Sequence, residues 1–151
     1  MDPYFGERRG DLLRLNLSAL RDHIRAILAA FPDVAGAYLF GSALDFVRSR
    51  SDIDVGLIFT SDLPWSEAEL LSGRIEQRLG RFGPHPFQVV TLRPEQNSFT
   101  FRVLRDGELV YVANEERVTD VIESVGRQHD DLAPFRRTFF RALGMEDQPW
   151  T

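Results

Sequence analysis

The chain has 151 residues, 43% of them apolar and 27% charged, which fits one domain with a sizeable core and leaves no room for a second full domain. Cysteine is absent and all eighteen basic residues are arginine, which excludes disulfides, thiolate metal sites, cysteine nucleophiles and lysine Schiff bases. A formal charge of -5 argues against broad non-specific nucleic-acid binding, no apolar run approaches the ~20 residues of a membrane helix, and the charged start is unlike a signal peptide, so a cytoplasmic protein is expected.

In chain order, Leu13, Leu17, Leu20, Ile24, Ile27, Leu28 and Phe31 carry the spacing of an amphipathic helix that Pro32 ends, with His23 on its surface. Ala37 to Phe40 reads as a buried strand running into the turn Gly41-Ser42; a short helix starting at Ala43 would aim free amides at an anion, and Asp45 either caps that helix or joins the site through the turn. In Asp52 to Phe59, Ile53, Val55, Leu57 and Phe59 alternate with Asp52, Asp54, Gly56 and Ile58, a strand with one core face and one face that opens with two acids. Ser66 and Glu69 form a capping-box pattern, Trp65 is placed to staple Leu70, and Gly80 stops the helix that follows. Phe87 to Leu92 predicts a strand, Pro94 opens a helix through Leu104, and Asp106-Gly107 turns into the strand Leu109 to Val112. Helical spacing then runs from Val118 through His129 to Leu143, with Pro134 as a kink; Phe135, Phe139 and Phe140 beside Arg136, Arg137 and Arg141 suit either the domain's own sheet or a protein partner.

These elements define an α/β fold, a small mixed sheet flanked by helices with a long C-terminal helix. The first two strands are joined by too few residues for a parallel crossover, so they are expected to be antiparallel. The expected organisation is one domain over 1–151, with a core at about 12–113 and a helical segment at about 115–143.

Asp52 and Asp54 fall on one face of a strand, where two carboxylates repel and a hard divalent cation relieves the repulsion; magnesium commonly takes one or two carboxylates plus water and phosphate oxygens. Gly41 allows a backbone to approach an anion, and Ser42 adds a hydroxyl. Arg48 and Arg50 lie between the two motifs, as triphosphate clamps or as solvated loop residues. Gly-Ser or Asp-x-Asp alone is a weak signal. Nine residues apart, behind a buried strand and opening another, they reinforce each other.

Phe40-Gly41-Ser42 through Ser51-Asp52-Ile53-Asp54 resembles the signature of the DNA polymerase β-like nucleotidyltransferase superfamily. The chain is most similar to minimal nucleotidyltransferases, single domains that act as antitoxins beside a HEPN toxin, and the resemblance extends over about residues 15 to 143. It implies a nucleotidyltransferase fold, ATP as the nucleoside triphosphate substrate, Mg2+ on Asp52 and Asp54 as catalytic residues, and nucleotide binding at Gly41, Ser42, Arg48 and Arg50. It further implies AMP transfer to a tyrosine of a HEPN-family toxin partner within a homo- or hetero-oligomer. Members of the family place a third aspartate on the next strand; here Gln88 occupies that slot, or Thr91 in an alternative register, and neither is a base. His85 is the nearest substitute base, or simply a surface loop residue. The rival functions are a catalytically weakened or inactive antitoxin that neutralises its toxin by binding alone, and an enzyme that modifies a small molecule.

Overall fold

The computed structural model describes residues 2–48 and 50–129. An N-terminal hairpin of β1 (Phe5–Arg9) and β2 (Leu12–Leu15) leads into helix α1 (Leu17–Leu28). The helix therefore starts later than its apolar spacing suggested: Leu13 belongs to β2, and the Asn16 side chain accepts the Ala19 N–H at 3.2 Å to cap the helix. Asn16 also joins hairpin to helix, donating from its backbone to Tyr4 O at 2.8 Å and from its side chain to Pro3 O at 3.2 Å.

Strand β3 (Val34–Phe40) runs into a 3-10 turn at Gly41–Leu44, closed by the Asp45 N–H on Ser42 O at 3.0 Å. The short β4 (Phe46–Val47) pairs with β2 and completes a small antiparallel sheet ordered β1-β2-β4. Strand β5 (Ile53–Phe59) then returns antiparallel to β3, as the short connection required. Helix α2 (Trp65–Leu79) follows, ended by Gly80 at φ 63°. No side chain caps it. The expected capping box does not form because Ser66 is already helical, and the staple fails because Leu70 is 68% exposed. Trp65 instead lies under the Arg93 guanidinium at 4.3 Å, while Arg93 Nη2 donates to Leu63 O at 2.5 Å.

After β6 (Arg81–Phe82), strand β7 (His85–Thr91) runs parallel to β5. Helix α3 (Asn97–Asp106) begins three residues beyond Pro94, β8 (Glu108–Val112) pairs with β3, and α4 (Glu115–His129) closes the described chain. The five-stranded mixed sheet has the order β6-β7-β5-β3-β8. The continuation of the terminal helix through Pro134, Phe135, Phe139, Phe140 and Leu143 lies outside the described residues, as does the His129 side chain.

Both faces of the sheet are covered, which is why β3 is buried along almost its whole length rather than at alternate positions. Leu20, Ile24, Leu28, Ile75 and Leu79 of α1 and α2 pack on Ala37, Leu39, Val55 and Leu57. On the opposite face, Val103, Leu104, Val118, Val121 and Val125 of α3 and α4 pack with Ala35, Tyr38 and Ile58. Gly56 is buried on this second face, where an added Cβ would meet Leu92 atoms at 2.8 to 2.9 Å. The start of the second face of β5 is less covered: Asp54 is half-buried, and Asp52, just before the strand, is exposed. No helix among the described residues is long and apolar enough to cross a membrane.

Candidate functional site

The Gly41 turn and the start of β5 meet because β3 and β5 pair antiparallel, with Phe40 opposite Asp54. The 3-10 turn at the end of β3 is thus folded against the beginning of β5. Gly41 has φ 75°, the left-handed region where a side chain is disfavoured. Its missing Cβ is the stronger constraint: a Cβ at that position would lie 2.5 Å from Asp54 Oδ2. The Asp54 carboxylate therefore occupies the space that glycine leaves, and Gly41 and Ser42 stay exposed beside it.

Asp52 is exposed, whereas Asp54 is half-buried. Burial, and then repulsion from Asp52, raise the Asp54 carboxyl above the ordinary carboxylate range. A pair in that state favours a cation over two uncompensated charges. Among the described residues no group of three histidine, cysteine or acidic side chains is placed to hold a metal. A hard divalent ion on the two aspartates would thus need oxygens from water, phosphate or an amide to fill its coordination.

The amide is Gln88. It stands in register with Asp54 in the parallel β5–β7 pair and is exposed, so its side chain rises from the same face. The alternative placement of Thr91 is incorrect: Thr91 pairs with Leu57 and its Oγ1 lies 3.2 Å from Ser72 Oγ of α2, on the opposite face.

His85 shares that opposite face and cannot reach the acids as a base. Nor is it a surface residue, because it is 0% exposed. A carbonyl only accepts, so His85 Nδ1–H donates to Ser51 O at 2.7 Å, while Nε2 is buried without a partner among the described residues. Ser51 is also bonded to Arg48, through its N–H to Arg48 O at 3.1 Å and through its Oγ from Arg48 N–H at 3.2 Å. These three bonds, around Arg50 at φ 69°, fix the chain immediately before Asp52. The sequence hid this role, since nothing local shows that α2 and the hairpin will cover the start of β7. His23 likewise is half-buried rather than a surface residue, stacked on Phe87 at 5.5 Å with Nε2 2.8 Å from Leu79 O.

Arg48 and Arg50 are exposed. Arg48 lines an open cavity with Arg8 and Arg9 of the hairpin, a grouping that does not include Gly41, Ser42, Asp52 or Asp54.

The mixed sheet thus sets a glycine-serine turn against a carboxylate pair, with helices on both faces. The family described as Polymerase beta, Nucleotidyltransferase matches residues 22–116, and the chain belongs to it. No curated protein matches the chain. Among the solved structures that share its fold are three toxin-antitoxin structures. A mutant toxin-antitoxin MntA-HpeT is 15% identical, covers 82% of this chain and 98% of that chain, and has a TM-score of 0.54. A toxin-antitoxin with AMP-PNP is 16% identical over 82% and 98% of the two chains, at a TM-score of 0.52. The toxin-antitoxin MntA-HepT is 17% identical over 82% and 96%, at a TM-score of 0.50.

Proposed function

We propose that the chain is an antitoxin-type nucleotidyltransferase that transfers AMP from ATP to a partner HEPN toxin and thereby neutralises it. The observation that carries the reading is the seating of Asp54 against Gly41, which puts a carboxylate pair and an exposed Gly-Ser turn side by side. Family membership and the fold shared with toxin-antitoxin proteins, one of them with a nucleotide analogue, support it. Asp52 and Asp54 would hold Mg2+, with Gln88 able to offer a carbonyl oxygen, and the ion when bound supplies positive charge beside the phosphates. Gly41 and Ser42 leave the turn open for phosphate oxygens, and Arg48 and Arg50 supply exposed guanidinium groups on the connecting loop. The acceptor hydroxyl attacks the α-phosphorus as the bond to pyrophosphate breaks, and its proton passes to solvent or to a carboxylate of the pair. The direct test is to incubate the chain with ATP, Mg2+ and the toxin from the adjacent gene and to weigh the toxin. Addition of an AMP mass that disappears in D52A/D54A supports the reading; neutralisation without an adduct, unchanged in that variant, overturns it.

Gln88 favours a second reading, an antitoxin weakened in catalysis that neutralises by binding alone. An uncharged amide beside Asp54 gives less charge to a cation and no proton acceptor. Gln88→Asp is expected to tighten Mg2+ binding about tenfold, within the range by which such groups alter metal affinity. A Mg2+ titration followed by thermal melting checks this, and an unchanged midpoint would remove residue 88 from the site.

His85 gives a separate expectation. His85→Phe keeps an aromatic ring but loses the donor to Ser51 O, about one hydrogen bond of ~1 kcal/mol. The Mg2+ concentration for half-maximal protection should rise several-fold, and His85→Asn, which retains a donor, should recover part of it. Equal effects of both variants would reduce His85 to packing.

A further inference from the structure

The N-terminal hairpin precedes the residues matched by the family and packs beside β4, the strand that follows the Gly-Ser turn. Its arginines differ from most others. Arg21, Arg25, Arg93 and Arg117 are spent on carboxylates or carbonyls within the fold. Arg8, Arg14 and Arg48, by contrast, have no hydrogen-bond or ion-pair partner for their guanidinium groups among the described residues, and Arg9 has only Glu7 at 3.6 Å. Arg9 and Arg14 both lie over the Phe46 ring, at 4.8 and 4.9 Å, which holds their charges up from the sheet. Arg8, Arg9 and Arg48 then line an open cavity of about 950 Å3 with Leu12 and Leu13, where Asp11 is the only carboxylate. Strand β1 is the edge of its sheet, with one side of its backbone unpaired by any strand among the described residues. Leu12 and Tyr4, at 36% and 39%, are two of the exposed large apolar residues.

We propose that this hairpin docks an acidic segment of a partner protein, with its carboxylates on Arg8, Arg9 and Arg48 around the open cavity. Free guanidinium forks bind carboxylates in pairs of parallel bonds. Arginine with tyrosine and phenylalanine is also the composition enriched at protein interfaces. A carboxylate ligand is favoured over a nucleic acid by range. A short acidic segment senses the arginines within a Debye length of ~8 Å, whereas a long polyanion also meets the rest of a chain whose formal charge is -5. The inference does not rest on nucleotidyl transfer and needs no nucleotide.

Fluorescence anisotropy with the whole chain tests it, using a labelled ten-residue peptide of alternating glutamate and valine. The peptide should bind, weaken as salt rises, and bind about tenfold more weakly to R8E/R9E. R8K/R9K, which keeps the charge, should stay within about threefold of the native chain, and R74E/R78E, on exposed positions of α2, should change nothing. Thermal melts establish that each variant is folded, and Arg48→Glu repeats the test should R8E/R9E fail to fold. No binding of the peptide, or binding indifferent to folded R8E/R9E, overturns the proposal. So does tighter binding of a labelled ten-nucleotide single-stranded RNA that is lost in the same variant, or a salt-sensitive dimer of the chain that the peptide cannot disrupt.

Discussion

Asp54→Asn should abolish metal-dependent AMP transfer and at the same time make the fold more stable at neutral pH. Removing one carboxylate from a metal pair takes away several kcal/mol of transition-state stabilisation, so a loss of ~10³-fold or more in turnover is expected. The gain in stability follows from linkage. Burial and the Asp52 charge raise the Asp54 carboxyl in the folded chain above its ordinary value of 3.8. The folded state then holds that proton more tightly than the unfolded state does. Stability consequently falls as pH rises from the ordinary carboxylate value through the raised folded value, and above it the full penalty stands. Asparagine carries no such charge. At pH 7.5 the variant should melt higher than the native chain. The difference should vanish below pH 3.8, where the native carboxyl is protonated in both states. Mg2+ should raise the melting temperature of the native chain and leave the variant unmoved. A variant that melts lower than the native chain at pH 7.5 would refute the penalty that burial and the Asp52 charge place on Asp54.

Gly41→Ala should act in the opposite direction on stability, and its effect depends on Asp54. Alanine at φ 75° costs ~1–2 kcal/mol from the backbone alone. The new methyl group would also stand 2.5 Å from Asp54 Oδ2, so either the turn or the carboxylate must move. Total destabilisation of ~2–4 kcal/mol is expected. Transfer should also be lost, since the turn and the carboxylate can no longer occupy their native positions together. A double-mutant cycle separates the two contributions. In the D54A background the carboxylate is gone and only the backbone cost remains, so the pair should be non-additive by ~1 kcal/mol or more in urea unfolding. Strict additivity would mean that Gly41 matters for its dihedral angle alone and does not make room for Asp54.

Much of the site was legible before any coordinates. The ten-residue joint between two apolar runs required β3 and β5 to be antiparallel, and that pairing brings Phe40-Gly41 back to Asp54. The sequence left Gln88 and Thr91 as alternatives for the position beside the aspartates, and the pairing of β7 with β5 decided for Gln88. Other features depended on partners distant in sequence. Gly10 at φ 57° marks the turn of the hairpin, but β1 is short, charged and mostly exposed, and Leu13 of β2 also fits the helical spacing that follows, so alternation gave no signal. Trp65 and Arg93 start α2 through a contact between residues 28 positions apart, where the local sequence offered a capping box instead.

What the sequence determined by itself was set by short-range physics: strand periodicity, the conformational freedom of glycine, the repulsion of two adjacent acids, and chain length between elements. Only the tertiary structure decided which face of each strand is covered. That choice buries His85 and turns its Nδ1–H onto Ser51 O, leaves Gln88 exposed in register with Asp54, and leaves Arg8, Arg9 and Arg48 together around an open cavity. Side chains that are interchangeable as members of an alternating pattern become buried, exposed or grouped according to what the rest of the chain places over them.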